Sequence, residues 1–147
     1  MNKAERAGLM TLFNATVAGV HNSFWTDING RLFFNQAPLG TNLSDGPYAI
    51  FSSISEINND TFTEEIRDDY IQFSLFSGEG SDDEILDMDT HLTELLNDHY
   101  YSISGAIVRM NRQQSSGPHI ITETTEAGTE SYSQTDVDYK FRVQLTF

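Results

Sequence analysis

Val137-Asp138-Tyr139-Lys140-Phe141-Arg142-Val143-Gln144-Leu145-Thr146-Phe147 alternates without a fault. Val137, Tyr139, Phe141, Val143, Leu145 and Phe147 are apolar, and every residue between them is polar. Successive side chains of a strand point to opposite faces, so this spacing sets one face on a core and leaves the other outside. The strand is still running at Phe147, so the segment is expected to belong to the sheet rather than to a tail. The chain therefore reads as a compact sheet-based unit whose function comes from its surfaces and loops.

A length of 147 residues fits a single domain over 1–147, large enough to bury a core without disulfides or metal. The absence of cysteine excludes a disulfide framework, a thiolate nucleophile and a cysteine-ligated zinc. No apolar run approaches the roughly 18 residues of a membrane helix. Met1 to Arg6 is polar and leads into an amphipathic segment, unlike a signal peptide. A soluble, unexported chain with no membrane partner is expected. The net charge is -14, and residues 55–98 hold 14 of the 22 acids against one base, Arg67. Direct binding to a nucleic-acid backbone needs Lys and Arg, so it is not expected. The acidic window is either a solvated face or a surface that repels an anion.

Leu9, Leu12, Phe13, Val17 and Val20 predict a helix over residues 3–20, weakened by Gly8 and Gly19. Asn29-Gly30 signals a turn, Arg31 to Asn35 a short strand, and residues 36–47 a loop with two prolines and two glycines. Tyr48 to Ile54 and Ile66 to Phe76 read as strands. On the second, Asp69, Ile71, Phe73 and Leu75 share one face. Ser81-Asp82-Asp83-Glu84 has the pattern of a capping box, opening a helix to about Asp98. Its apolar side holds Ile85, Met88, Leu92, Leu95 and Leu96. Asp83, Asp87, Glu94 and Asp98 fall opposite, as an acidic stripe. Tyr100 to Arg112 reads as a strand, 113–118 as a loop, His119 to Thr125 as a strand and Glu126-Ala127-Gly128 as a turn. Residues 119–147 then form a long hairpin with an apolar base and a polar tip. Glu126, Gly128, Glu130, Tyr132, Gln134 and Asp136 mark its arm. In a monomer such an arm is solvated; in an assembly it meets a neighbour. The expected fold class is α+β: an antiparallel, mixed-order sheet packed against two helices, with this C-terminal hairpin.

Motifs for chemistry are sparse. His21, His91, His99 and His119 have no metal-site spacing, and His91 and His99 read as helix-surface residues. Asp87-Met88-Asp89 and Asp136-Val137-Asp138 lack the glycine and distal Glu of a calcium loop. Gly78-Glu79-Gly80 is a lone G-x-G whose acidic flanks repel phosphate. There is no nucleophile elbow, P-loop or dinucleotide fingerprint. No cofactor, metal or catalytic residue is expected, and the aromatic residues, Trp25 included, read as core.

The order of elements is informative. Ala37-Pro38 precedes a loop, and Gly46-Pro47-Tyr48-Ala49-Ile50-Phe51 opens a strand. Asp69 to Phe76 is a central strand leading into a Ser-Asp-initiated helix, and Tyr139 to Phe147 closes the chain. From about residue 9 to 147 this pattern resembles the tail-completion (head–tail joining, tail-terminator) proteins of tailed bacteriophages. The resemblance implies a structural virion protein of the tail or neck, assembled in the host cytoplasm. Its subunits form a homo-oligomeric ring, commonly of six, that caps the tail tube and joins it to the head connector. Its partners would be the tail tube protein and the head connector or another neck protein. Double-stranded DNA would pass through without specific binding. The acidic window and the long polar 113–136 region depart from that pattern.

Ring subunits need neighbours more than pockets, and heterologous contacts close into rings when the rotation closes. Carboxylates lining a channel repel phosphate, which makes Asp83, Asp87, Glu94 and Asp98 candidates for a channel- or partner-facing surface. The rival reading is an acidic DNA mimic that occupies a DNA-binding protein. An enzyme is not expected.

Overall fold

The computed structural model describes residues 1–78, 82–126 and 128–145. Ser81 of the expected capping box therefore lies outside the described residues, as do Glu79, Gly80, Ala127 and the Thr146-Phe147 end of the alternating strand. Six strands form one sheet in the order β3-β4-β5-β8-β7-β6. They are β3 (Leu32–Phe34), β4 (Tyr48–Asn58), β5 (Ile66–Ser77), β6 (His99–Ile103), β7 (Ala106–Thr125) and β8 (Gly128–Leu145). Neighbours are antiparallel except β3, which runs parallel to β4. Helices α1 (Lys3–Asn14), α2 (Ser23–Asp27) and α3 (Asp83–Leu96) pack on one face. A small hairpin, β1 (Thr16–Val17) and β2 (Val20–His21), links α1 to α2. This is the α+β class that the patterning predicts, with one short helix more than the two expected.

The centre of the fold is the β5–β8 pair, in register from Ile66↔Gln144 to Ser77↔Ser133. Its period-two pattern turns Ile71, Phe73 and Leu75, with Val137, Tyr139, Phe141 and Val143, toward the helices, where all are buried. Phe73 is the hub. Its ring centroid lies 5.9 Å from Phe13, 5.8 Å from Phe51, 5.6 Å from Tyr139 and 6.5 Å from Phe141. Leu9 and Phe13 of α1, Phe24 of α2 and Ile85, Met88, Leu92 and Leu96 of α3 close the same core.

Four local expectations are corrected. The helix over 3–20 ends at Asn14, because Thr16 and Val17 are β-branched and Ala18 and Gly19 take positive φ (53° and 77°) to turn a hairpin. Val17 and Val20 continue the helical spacing yet are exposed. The strand over Tyr100 to Arg112 is a hairpin of β6 and β7, folded at Gly105 with φ 80°. His99 accordingly sits on a strand, not on a helix. The loop over 113–118 is continuous β7, with irregular register between Arg112 and Gln114 and between Ser116 and His119. Gly117, at φ 117°, makes the second bulge: a Cβ there would lie 2.8 Å from the Gln134 carbonyl oxygen. Finally, α3 ends at Leu96, and Asp98 lies beyond it at φ 61°. At the start of α3 the Asp82 side chain makes no capping hydrogen bond, and Glu84 accepts a hydrogen bond from Ser77 Oγ at 2.6 Å.

Buried charges pin the helices and the sheet. Arg112 Nη2 donates to Asp89 at 2.8 Å, and the Arg112 backbone N–H donates to Asn97 Oδ1 at 2.9 Å, so the end of α3 is latched to β7. Burial pushes the Asp89 carboxyl above its ordinary value, against the pull of Arg112. Arg67 pairs with Glu5 of α1 and with Asp69 at 3.0 Å, and the Met1 ammonium lies 3.2 Å from Asp69. On the uncovered face Arg142 Nε and Nη2 donate to Asp68 at 2.8 and 2.9 Å, and Asn59 Nδ2 donates at 2.6 Å. These hydrogen bonds, Arg142 foremost, hold the Asp68 carboxyl below its ordinary range despite burial.

Phe73→Ala should cost about 3–5 kcal/mol in urea unfolding, because it opens a cavity between four aromatic neighbours. Ile120→Ala, at an exposed position, should be near neutral in the same assay. Asp68 has a depressed folded pKa, so its stabilisation is complete above the unfolded value of about 3.9 and is lost as pH falls through the folded value. Asp68→Asn should therefore flatten the acid limb of stability against pH. Arg142→Met should cost about 1–2 kcal/mol at neutral pH, by leaving a buried carboxylate short of donors.

Candidate assembly surfaces

The sheet has two long free edges. Edge strand β3 covers β4 only from Ala49 to Phe51, so β4 from Ser52 to Asn58 has no outer strand among the described residues. Edge strand β6 covers β7 only from Ala106 to Met110, so beyond the Arg112 N–H, which donates to Asn97, β7 has no outer strand among the described residues. These edges lie on opposite sides of the sheet. Unpaired N–H and C=O rows are templates for another chain.

The hairpin arm is real but shorter than the sequence suggests. β5 ends at Ser77, opposite Ser133, so Ile121 to Thr125 and Gly128 to Tyr132 project as two strands with no third among the described residues. Glu126, Gly128 and Glu130 lie on this projecting part and are exposed. Tyr132 stands at its root. Gln134 and Asp136 are not on it: they pair with Phe76 and Ser74 inside the sheet. Asp136 accepts hydrogen bonds from Ser74 Oγ at 2.7 Å and Gln134 Nε2 at 3.1 Å. Ser133 and Thr135 are buried on the core side. A cut at 126–135, which the polar composition alone recommends, would therefore remove sheet.

The arm root is stiffened by aromatic rings on the uncovered face. Phe33, Tyr48, Phe76 and Tyr132 follow one another across β3, β4, β5 and β8, with centroids 6.2, 4.8 and 6.2 Å apart. Such cross-strand pairs stabilise a sheet beyond their area. Arg31 lies over Tyr48 and donates to the Gly46 and Asn42 carbonyls, each at 2.7 Å, which ties down the loop over 36–47. Sequence reading missed this row because the four residues are scattered over 100 positions and meet only through register.

The acidic window does not form one surface. Asp68, Asp69 and Asp89 are withdrawn into the ion pairs above. Asp83, Asp87 and Glu94 are exposed on α3, as the stripe predicts, and Asp27 and Glu84 join Asp83 and Asp87 around a shallow hollow. Asp98 leaves the stripe: it follows the helix and accepts from Asn111 Nδ2 at 2.7 Å. His91 bonds Asp27, joining α3 to α2. That bond, with Glu94 and Asp87 near, raises the imidazole pKa. The uncovered sheet face is mixed in charge, with Asp68, Asp136 and Asp138 beside Lys140, Arg142 and Arg109.

A further feature escaped the sequence reading. The β4–β5 connection ends in a tight turn closed by the Thr61 N–H to the Glu64 carbonyl at 2.8 Å and by the Glu64 N–H to Thr61 Oγ1 at 3.1 Å. Phe62 stands fully exposed on it. A lone Phe among Asn58-Asn59-Asp60-Thr61 and Thr63-Glu64-Glu65 was the available signal.

Among the described residues no group of three His, Cys, Asp or Glu could hold a metal ion. Ser116 Oγ lies 3.0 Å from His119 Nε2 on the exposed bulge of β7, without the orienting carboxylate of a triad.

No family model matches the chain, and no curated protein matches it. Among solved structures the fold is similar to a chain described as "Virion of native gene transfer agent (GTA) particle". The TM-score is 0.64 at 13% sequence identity, over 96% of this chain and 95% of that one. At that identity the likeness establishes a shared fold, over nearly the whole of both chains.

Proposed function

We propose that this chain is a structural subunit of a phage-like virion, without catalysis. In this reading it forms a ring, commonly of six, at the head–tail junction. The ring caps the tail tube, joins it to the head connector and lets DNA pass. The supporting observation is a sheet whose two opposite edges are largely uncovered and whose last hairpin projects as an arm, in a fold shared over 96% of its length with a virion chain. Opposite bare edges suit a head-to-tail contact, which repeats without symmetry and closes into a ring. The arm adds reach to a neighbour in the ring or in the next layer.

Of the two large faces, the α3 side of the helical one suits a DNA passage better. α3 shows Asp83, Asp87 and Glu94 outward and carries no Lys or Arg. The uncovered sheet face mixes both signs. Carboxylates near a duplex keep the potential negative, so phosphates slide past rather than bind. The same outward carboxylates are what a DNA mimic would need, and that reading leaves the arm and the bare edges without a use.

Electron microscopy of particles that carry this chain should show it as a ring at the neck; density in the capsid shell, or a free inhibitor outside the particle, overturns the proposal. Replacing Thr122 to Ser131 by a two-residue turn, which keeps the Ile121↔Tyr132 pair, should leave a folded subunit, since that stretch adds no core residue among the described ones, and should reduce infectious particles. Normal particles from that variant would remove the arm from joining. Neutralising Asp83, Asp87 and Glu94 to Asn, Asn and Gln should make the ring bind duplex DNA at low salt, with binding lost as salt rises. No gain of binding would place α3 away from the passage.

A further inference from the structure

Phe62 is an aromatic side chain held in water by a closed turn, with Asp60, Glu64 and Glu65 around it and no base in residues 58–66. Exposed aromatic knobs of this kind are typical anchors of protein interfaces. The same molecule carries a matching hollow. Ala7 and Met10 of α1, with Leu32, Phe34 and Phe51 at the β3–β4 edge, line a space of about 300 Å³, rimmed by Lys3 and Arg6. Lys3 and Arg6 lie one turn apart on α1. Among the described residues neither has a carboxylate partner, although the chain has 22 acids and eight bases. Arg6 lies over the Phe34 ring at 4.3 Å. An acidic apolar knob and a basic apolar hollow therefore stand on different parts of one surface. The full exposure of Phe62 shows that the tip does not fill the hollow of its own chain.

We propose that the Phe62 tip of one copy seats in the Lys3–Arg6 hollow of the next. Phe62 lies against Met10, Phe34 and Phe51, while Asp60, Glu64 and Glu65 meet Lys3 and Arg6. The inference rests on the ring reading and names its contact. Knob and hollow are distinct patches, so the contact is head to tail and repeats from copy to copy. The closed turn lowers the ordering cost of the knob, and the charges set which way round it enters.

The lack of native cysteine makes a clean test. The full chain carrying Phe62→Cys and Met10→Cys, oxidised at a concentration where native mass spectrometry shows rings, should give a reducible ladder ending at the ring size. Either single variant should stop at dimers. In parallel, Phe62→Ala should raise the concentration for half-assembly by at least about 30-fold, the scale of an interface hot spot. Lys3→Glu with Arg6→Glu should also weaken assembly, and adding Asp60→Lys, Glu64→Lys and Glu65→Lys should restore it. Acids in the first turn favour a helix, so the α1 variant keeps its fold. Rings that form without the ladder, or that seat Phe62 on a different protein, overturn this contact and leave the ring reading standing. A chain that stays monomeric and cross-links nowhere at about millimolar concentration overturns the contact together with self-assembly of the subunit.

Discussion

Pairing of β5 with β8 is the constraint on which the rest depends. Twelve residue pairs hold the strands together, and their inward side chains, with Phe73 at the centre, give α1, α2 and α3 a surface to bury. Apolar area removed from water supplies most of the driving force, and a hub touching four rings collects it in one place. The same pairing makes the arm. β8 has 18 residues and β5 has 12, so β8 and its partner β7 run on after the third strand ends. The projecting hairpin is a consequence of unequal strand lengths, and its base is as firmly held as the core.

Charge in this molecule has to be read in space. The window over residues 55–98 looks like one acidic block along the chain. In the fold, alternation on β5 sends Asp68 to the uncovered face and Asp69 to the core side, where Arg142, Arg67 and the Met1 ammonium neutralise them. Asp89 is taken by Arg112. Most of the described acids of this window that face water gather in two separate places, the outside of α3 and the β4–β5 tip. One covers the outer side of a helix and the other surrounds an aromatic knob, and the sequence window merges them.

The most legible elements were those with a single buried face. α3, β5 and β8 each meet the core on one side only, so their apolar residues recur at 3.6 or 2.0 and survive in the sequence as a period. The errors have physical causes. Val17 and Val20 extend the spacing of α1 but meet no core, and a positive φ at Ala18 and Gly19 ends the helix regardless of pattern. Tyr100 to Arg112 alternates on both sides of Ser104-Gly105, so a hairpin and a long strand look alike until Ile103 and Ala106 are seen to pair. Gln113 to Pro118 is polar because it forms a bare, bulged edge with no core beneath it, and a polar strand has the composition of a loop.

Local rules acting on neighbouring residues sufficed for the α+β class, the dominant helix, the central strands, the long closing hairpin and the acidic balance of the chain. Those features follow from side-chain direction, propensity and charge, which operate over a few positions. Long-range register decided the remainder: which carboxylates are paired and which face solvent, where the arm leaves the sheet, the row from Phe33 to Tyr132, the bare edges of β4 and β7, and the separation of the Phe62 knob from the Lys3–Arg6 hollow. Each depends on residues tens of positions apart being brought within a few ångströms, and no local pattern carries that distance.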